Sequence, residues 1–116
     1  IYKPEPTVAA QFDMDSVTYN AVMEGMGLVV SSPTSMASRY LSDYPVKVGA
    51  KTGTAQVGDG SADNCVFAAF APFDDPQIVF SCVIEHGVNG YYAAKGARDV
   101  FDSFFGFNKT ADDAAS

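Results

Sequence analysis

Basic residues are scarce in this sequence: 7 Lys and Arg stand against 14 Asp and Glu, for a formal net charge of -7 over 116 residues. So acidic a chain excludes nucleic acid, and equally an anionic membrane surface, as a partner held through a broad basic face. Single cations keep their interest, and Lys51 is the one set in a motif. Long apolar runs are missing too, since no stretch reaches the roughly 18 residues that span a bilayer. Cysteine is limited to Cys65 and Cys82, too few and too apolar in context for a disulfide framework or a zinc site. Each reads as a small buried hydrophobe, with a Cys65–Cys82 bridge as the alternative. No metal and no cofactor is expected. The chain opens Ile1-Tyr2-Lys3 without an initiator Met or a signal-peptide pattern, which predicts a piece of a longer gene product.

What is present is the material of one folded domain: 47% of residues are hydrophobic and 13% aromatic, outside the disordered range. Residues 1–14, with Pro4 and Pro6, read as an extended lead-in. A first helix is predicted from Asp13 or Asp15, either of which can cap it. Its apolar face is Val22, Met23, Met26, Val29 and Val30, and Gly25 and Gly27 predict a break in its second half. Ser32-Pro33 reads as the N-cap and first residue of a short second helix with Met36, Ala37, Tyr40 and Leu41 on one side, ended by Asp43-Tyr44-Pro45.

The pattern then turns extended. Strands are predicted over 46–57, 65–72 and 77–85, the last two joined by the Pro72-Phe73-Asp74-Asp75-Pro76 turn. A final helix over 91–105 carries Tyr92, Ala93, Ala97, Val100, Phe101, Phe104 and Phe105 on a broad face, with Gly106 as its stop. Residues 107–116 form a disordered tail on this reading. The fold class is α+β, a three-stranded antiparallel meander with helices packed on the sheet. Strands apolar on both faces demand cover on both, and the glycine-interrupted helices supply little. The sheet wants more protein than this chain contains.

One cluster has a chemical logic: Lys51-Thr52-Gly53-Thr54. On a strand, Lys51 and Gly53 point one way and Thr52 and Thr54 the other. An ammonium and a threonine hydroxyl brought to one cleft attract and hydrogen-bond a carboxylate. Gly53 lets a ligand lie against the strand without meeting a Cβ, and the N–H that follows it can donate to a developing oxyanion. The tetrapeptide is a weak signal in isolation. A P-loop is excluded, because the glycines it needs before the lysine are here Ala50 and Pro45.

The wider context is more specific. Val48-Gly49-Ala50-Lys51-Thr52-Gly53-Thr54-Ala55-Gln56, then Phe67-Ala68-Ala69-Phe70-Ala71-Pro72, then Asp75-Pro76 and an apolar strand ending in Glu85, resembles the class B penicillin-binding proteins. Met23-Glu24-Gly25-Met26 with Val29-Val30 resembles the segment that precedes the motif there. The resemblance covers residues 8 to 106 and marks 1–106 as the C-terminal portion of a transpeptidase domain, in the β-lactamase/transpeptidase-like fold.

It implies a membrane-anchored, extracytoplasmic parent enzyme of cell-wall peptidoglycan synthesis, with stem peptides as substrates and β-lactams as inhibitors. A serine in a Ser-x-x-Lys motif attacks the penultimate D-alanine of a stem peptide, and a second stem's amine resolves the acyl-enzyme. By position, Lys51 orients and polarises the site. Thr52 and Thr54 contact the substrate carboxylate, Gly53 lies along it, and the Thr54 N–H forms half of the oxyanion hole.

The nucleophile is not in this sequence. Ser35, Ser38 and Ser42 are followed three residues on by Ser38, Leu41 and Pro45, and neither Ser-x-x-Lys nor Ser-x-Asn occurs. Acyl transfer needs an activated nucleophile and a base, so these residues by themselves are expected to be inactive. The N-terminal part of the same domain is the expected partner, and without it the open edge of strand 77–85 is expected to drive self-association. The alternatives are a fragment of a serine β-lactamase or β-lactam sensor, and a non-catalytic binding or assembly module of the same fold.

Other polar residues read as structural. Glu85-His86 is a strand-terminal surface pair, and Asp74-Asp75 are turn formers. Asp59, Asp63 and Asn64 lack the register of a calcium loop. Gln56 either shapes the cleft beyond the motif or fills the strand.

Overall fold

Asp15 begins the first helix. In the computed structural model, which describes residues 3, 5–58, 60–87 and 90–108, its carboxylate accepts from the Thr18 N–H at 2.9 Å and from the Thr18 hydroxyl at 2.7 Å. These bonds hold the Asp15 carboxyl below the usual carboxylate range and cap α1, Ser16–Ser31. The helix runs through Gly25 and Gly27 without the expected break. Gly27 belongs to its packed side, where an added Cβ would lie 3.5 Å from the Phe73 ring. That side is Met23, Met26, Gly27 and Val30, whereas Val22 is 52% exposed. One residue turns a helix by about 100°, which carries Val22 off the row.

Ser32 does not start a second helix. It ends α1, its N–H donating to the Leu28 carbonyl at 2.9 Å, and its hydroxyl pairs with that of Thr34 at 2.9 Å. The Ser38 hydroxyl donates to the Ser35 carbonyl at 2.7 Å. Such local side-chain bonds compete with helical ones, and α2 shrinks to a single turn, Ser38–Leu41.

Strands β1 (Gly49–Ala55), β2 (Asn64–Ala71) and β3 (Ile78–Ile84) pair antiparallel in the order β1-β2-β3, the expected meander. β1 begins later than Val46 because the lead-in is held elsewhere: the Lys47 carbonyl accepts from the Phe73 N–H at 2.8 Å. The β2–β3 connection contains a cis Ala71–Pro72 bond.

The register puts Cys65, Phe67, Ala69 and Ala71 on one face of the sheet with Ala50, Thr52 and Thr54 on one side and Ile78, Phe80, Cys82 and Ile84 on the other. Helix α3, Tyr91–Phe105, crosses this face through Ala93, Ala94, Ala97 and Phe101. Its buried stripe is narrower than expected: Tyr92, Val100 and Phe104 are 67%, 41% and 52% exposed. A row of alanines lets the helix lie close on the strands, and Phe101 is the large side chain that fills the space. Gly106, at φ 76°, ends the helix as expected. Beyond it Phe107 is 48% exposed, its ring 6.0 Å from Phe105 and 5.8 Å from Tyr44. Residues 109–116 of the expected tail lie outside the described residues.

Arg98 ties α3 to the end of α2. It donates to the Tyr40 carbonyl and to the Asp43 carboxylate, each at 2.6 Å, and holds the Asp43 carboxyl below its usual range. Its guanidinium also stands 5.5 Å above the Tyr44 ring. The Tyr44 hydroxyl is buried without a partner in hydrogen-bonding geometry. Burial, and second the nearby Asp102, push its pKa up to about 12.

The opposite sheet face is open at β3, where Val79 and Val83 are 71% and 61% exposed. Cys65 and Cys82 are free thiols on a diagonal of the β2–β3 register, since Cys65 faces Ile84 and Cys82 faces Phe67. Diagonal positions sit about 7–8 Å apart, beyond easy disulfide reach. Burial pushes both thiols up, with Cys65 adding to the shift of Cys82.

Candidate active-site strand

The motif lies on β1, an edge strand of the sheet. An antiparallel ladder alternates residues that bond to the neighbour with residues that point away. The Ala71 carbonyl accepts from the Gln77 N–H at 2.9 Å, so Ala71, and with it Ala69, Phe67 and Cys65, turns its backbone toward β3. Val66, Ala68 and Phe70 therefore bond to β1, through Gly53, Lys51 and Gly49. That leaves the N–H and C=O groups of Thr52 and Thr54 pointing off the free edge. The Lys51 ammonium agrees, reaching round to donate to the Thr52 carbonyl at 2.5 Å.

Side chains divide as the strand period requires. Lys51 and Gly53 share the face of Val66 and Ala68, while Thr52 and Thr54 share the face of Phe67 and Cys65. Lys51 and Thr54 are exposed and Thr52 is half-buried. Ammonium and hydroxyls thus flank one edge from opposite faces, with two outward backbone N–H groups between them. A carboxylate or an extended peptide laid along this edge meets donors of three kinds. A Cβ on Gly53 would be 3.4 Å from Val66 Cβ, ordinary contact, so the glycine serves the open side rather than relieving a clash inside the sheet.

Sequence reasoning passed over two neighbours of this strand. A Cβ on Gly90 would stand 3.3 Å from Thr52 Cγ2 and 3.7 Å from Cys65 Sγ, so the N-terminus of α3 comes up against the threonine side of the motif. His86 is exposed, as expected for a strand-terminal residue, yet its backbone is left-handed at φ 54° and bonded across the sheet end to Ala62 and Asn64. A histidine followed by glycine after a strand was the available signal.

A sizeable cleft lies away from the motif. About 790 Å³ opens between α1 and the α2–β1 connection, bordered by Met23, Leu28, Tyr44, Lys47 and Phe73, and none of Lys51, Thr52 or Thr54 lines it. Among the described residues no three His, Cys, Asp or Glu side chains gather as metal ligands. No helix among them is long and apolar enough to cross a membrane.

The architecture is that of the β-lactamase/transpeptidase-like class, an antiparallel meander with a helix across it and a Lys-Thr-Gly strand on its edge. The chain belongs to the penicillin-binding protein transpeptidase domain family, whose description matches residues 2–105. Peptidoglycan D,D-transpeptidase MrdA of Escherichia coli strain K12 is 29% identical over 112 residues, covering 84% of this chain and 17% of that protein. A crystal structure of Pseudomonas aeruginosa PBP2 in complex with WCK 5153 superposes with a TM-score of 0.68 at 31% identity, over 78% of this chain and 19% of that one. Helicobacter pylori PBP2 in complex with MreC shares the fold, with a TM-score of 0.68 at 22% identity over 82% of this chain and 19% of that one. The chain spans less than a fifth of the length of these relatives.

Proposed function

We propose that this chain is part of a peptidoglycan D,D-transpeptidase and supplies one wall of its active site, the Lys51–Thr54 edge of β1. The observation that carries the reading is that edge: free backbone donors at Thr52 and Thr54, an ammonium on one side and hydroxyls on the other. The serine and its lysine base come from elsewhere in the intact protein. In the acylation step the serine oxygen bonds to the carbonyl carbon of the penultimate D-alanine, and the terminal D-alanine departs with the serine's proton on its amine. Lys51 polarises the site, Thr52 and Thr54 hold the terminal carboxylate, and the Thr54 N–H steadies the oxyanion that forms. A second stem peptide's amine then displaces the enzyme and completes the cross-link. A β-lactam enters the same course and stops at the acyl-enzyme.

Peptidoglycan is assembled outside the cytoplasm, so the intact protein works in the cell envelope, anchored by a membrane helix outside these residues. The open face and edge of β3 take the remainder of the domain. A scaffold of the MreC kind would be met by the intact protein, as by its H. pylori relative.

The test is covalent labelling of the intact protein by a fluorescent penicillin, followed by intact mass. One acyl adduct per chain is expected, and a protein that takes no label overturns the reading. Rapid turnover of nitrocefin would assign it to the β-lactamases instead. The 116 residues expressed alone are expected to take no label, because they contain no Ser-x-x-Lys. A stoichiometric adduct on them would show that a different residue is the nucleophile.

The separated chain is also expected to self-associate through β3. Val79, Ser81 and Val83 turn their backbone groups off that edge, with no charge or proline to blunt it. Light scattering at micromolar concentration checks this, and a clean monomer would show that the edge is tolerated bare.

A further inference from the structure

His86 stands at the end of the sheet where β1 runs out. Ala55 pairs with Asn64, and one step inward Thr54 pairs with Cys65, which pairs in turn with Ile84. Two connections meet here, the one leaving β1 and the one leaving β3. His86 joins them. Its N–H donates to the Asn64 side-chain oxygen at 3.0 Å, and its Nδ1 donates to the Ala62 carbonyl at 3.0 Å. A carbonyl only accepts, so Nδ1 carries the proton of this bond.

The backbone of His86 is left-handed, at φ 54°, a region that residues with a Cβ enter at a cost and occupy when their surroundings hold them there. The surroundings here are two hydrogen bonds to residues 22 and 24 positions away. At the start of α3, Gly90 comes up against the motif, where an added Cβ would be 3.3 Å from Thr52 Cγ2.

The geometry points to His86 as a positioning residue of the acyl-transfer site. It staples the turn after β3 onto the end of the β1–β2 connection, and so sets where the Thr52–Thr54 edge lies against the start of α3. The inference rests on the reading of β1 as an active-site wall. Thr54 is the outermost residue of the motif and one register step from Asn64, so a loosened β1–β2 connection moves its N–H and hydroxyl first. Displacing an oxyanion donor by a fraction of an ångström weakens the transition state more than it weakens the fold.

The experiment uses the full-length protein and fluorescent penicillin, reading the limiting acylation rate well below the melting temperature of each variant. His86→Ala is expected to lower that rate at least about fivefold. His86→Asn is expected to recover to within about twofold of wild type, since Asn tolerates the left-handed backbone and its amide can donate toward Ala62. His86→Gly relieves the backbone but has no donor to replace the ring, and is expected to remain as slow as the alanine variant. Asn64→Ala, which removes the other half of the staple, is expected to slow acylation in the same direction.

Unchanged acylation in His86→Ala, or a lowered melting temperature with the rate intact, overturns the proposal. So does a fully active His86→Gly, which would mean that only the backbone angle mattered. Lys51→Ala, run in parallel, separates the two layers. If it is slow while His86→Ala is normal, the staple is wrong and the site stands; if both are normal, the site reading itself has failed.

Discussion

Lys51→Ala in the intact protein is expected to slow acylation by a fluorescent penicillin at least about tenfold, roughly 1.4 kcal/mol of lost transition-state stabilisation. The ammonium is exposed, and within this chain its hydrogen bond is to the Thr52 carbonyl beside it. No buried partner depends on it, so its removal should leave the melting temperature nearly unchanged. That combination, a rate lost with the fold intact, is the signature of a group held for a ligand. Lys51→Arg keeps the charge but presents a planar fork in place of a point donor, and should recover only part of the rate. A stopped-flow or gel-based acylation series with melting curves decides the matter. An unchanged rate in Lys51→Ala would remove the lysine from the site.

Phe101→Ala carries the largest expected effect on stability, about 3–5 kcal/mol for a fully buried phenylalanine reduced to alanine. Phe101 is fully buried, one turn beyond Ala97 on the face of α3 that lies on the sheet, and its ring lies 6.1 Å from that of Tyr44. On the N-terminal side its neighbours on the buried face are Ala94 and Ala97, too small to refill the space. Thermal unfolding of the intact transpeptidase domain should fall by several degrees, whereas Lys95→Ala should cost no more than about 0.5 kcal/mol because its pairing with Asp99 is exposed. A Phe101→Ala protein as stable as wild type would mean that α3 is not seated as described.

The two effects differ in how early each was legible. The meander, its strand order and the terminal helix follow from local pattern: apolar runs of strand length, a Pro-bounded turn between two of them, and Gly106 after the last helical residue. So does the face assignment on β1, because a period of two leaves Lys51 and the threonines no choice. The N-cap at Asp15 was one of two candidates, and the Thr18 bonds selected it.

What local pattern missed depended on partners distant in sequence. Gly27 looked like a helix breaker and is a docking point for Phe73. The aromatic stripe on α3 looked broad, but three alanines decide how close the helix lies, and Tyr92 and Phe104 are left outside. Arg98 carried no local signal and is the clamp between α3 and α2. His86 looked like surface and bridges two loops more than 20 residues apart.

The identities of Lys51, Thr52, Gly53 and Thr54 and the faces they occupy come from residue order alone, since chirality and the pleat impose them wherever the strand is placed. Which edge of the sheet the strand takes does not. That depends on β2 pairing β1 on one side and β3 on the other, contacts made by residues far apart in the chain whose net gain appears only when α3 covers the shared face. Only then are the Thr52 and Thr54 backbone groups left pointing outward, because β2 bonds its other residues to β1 and turns the remaining ones to β3.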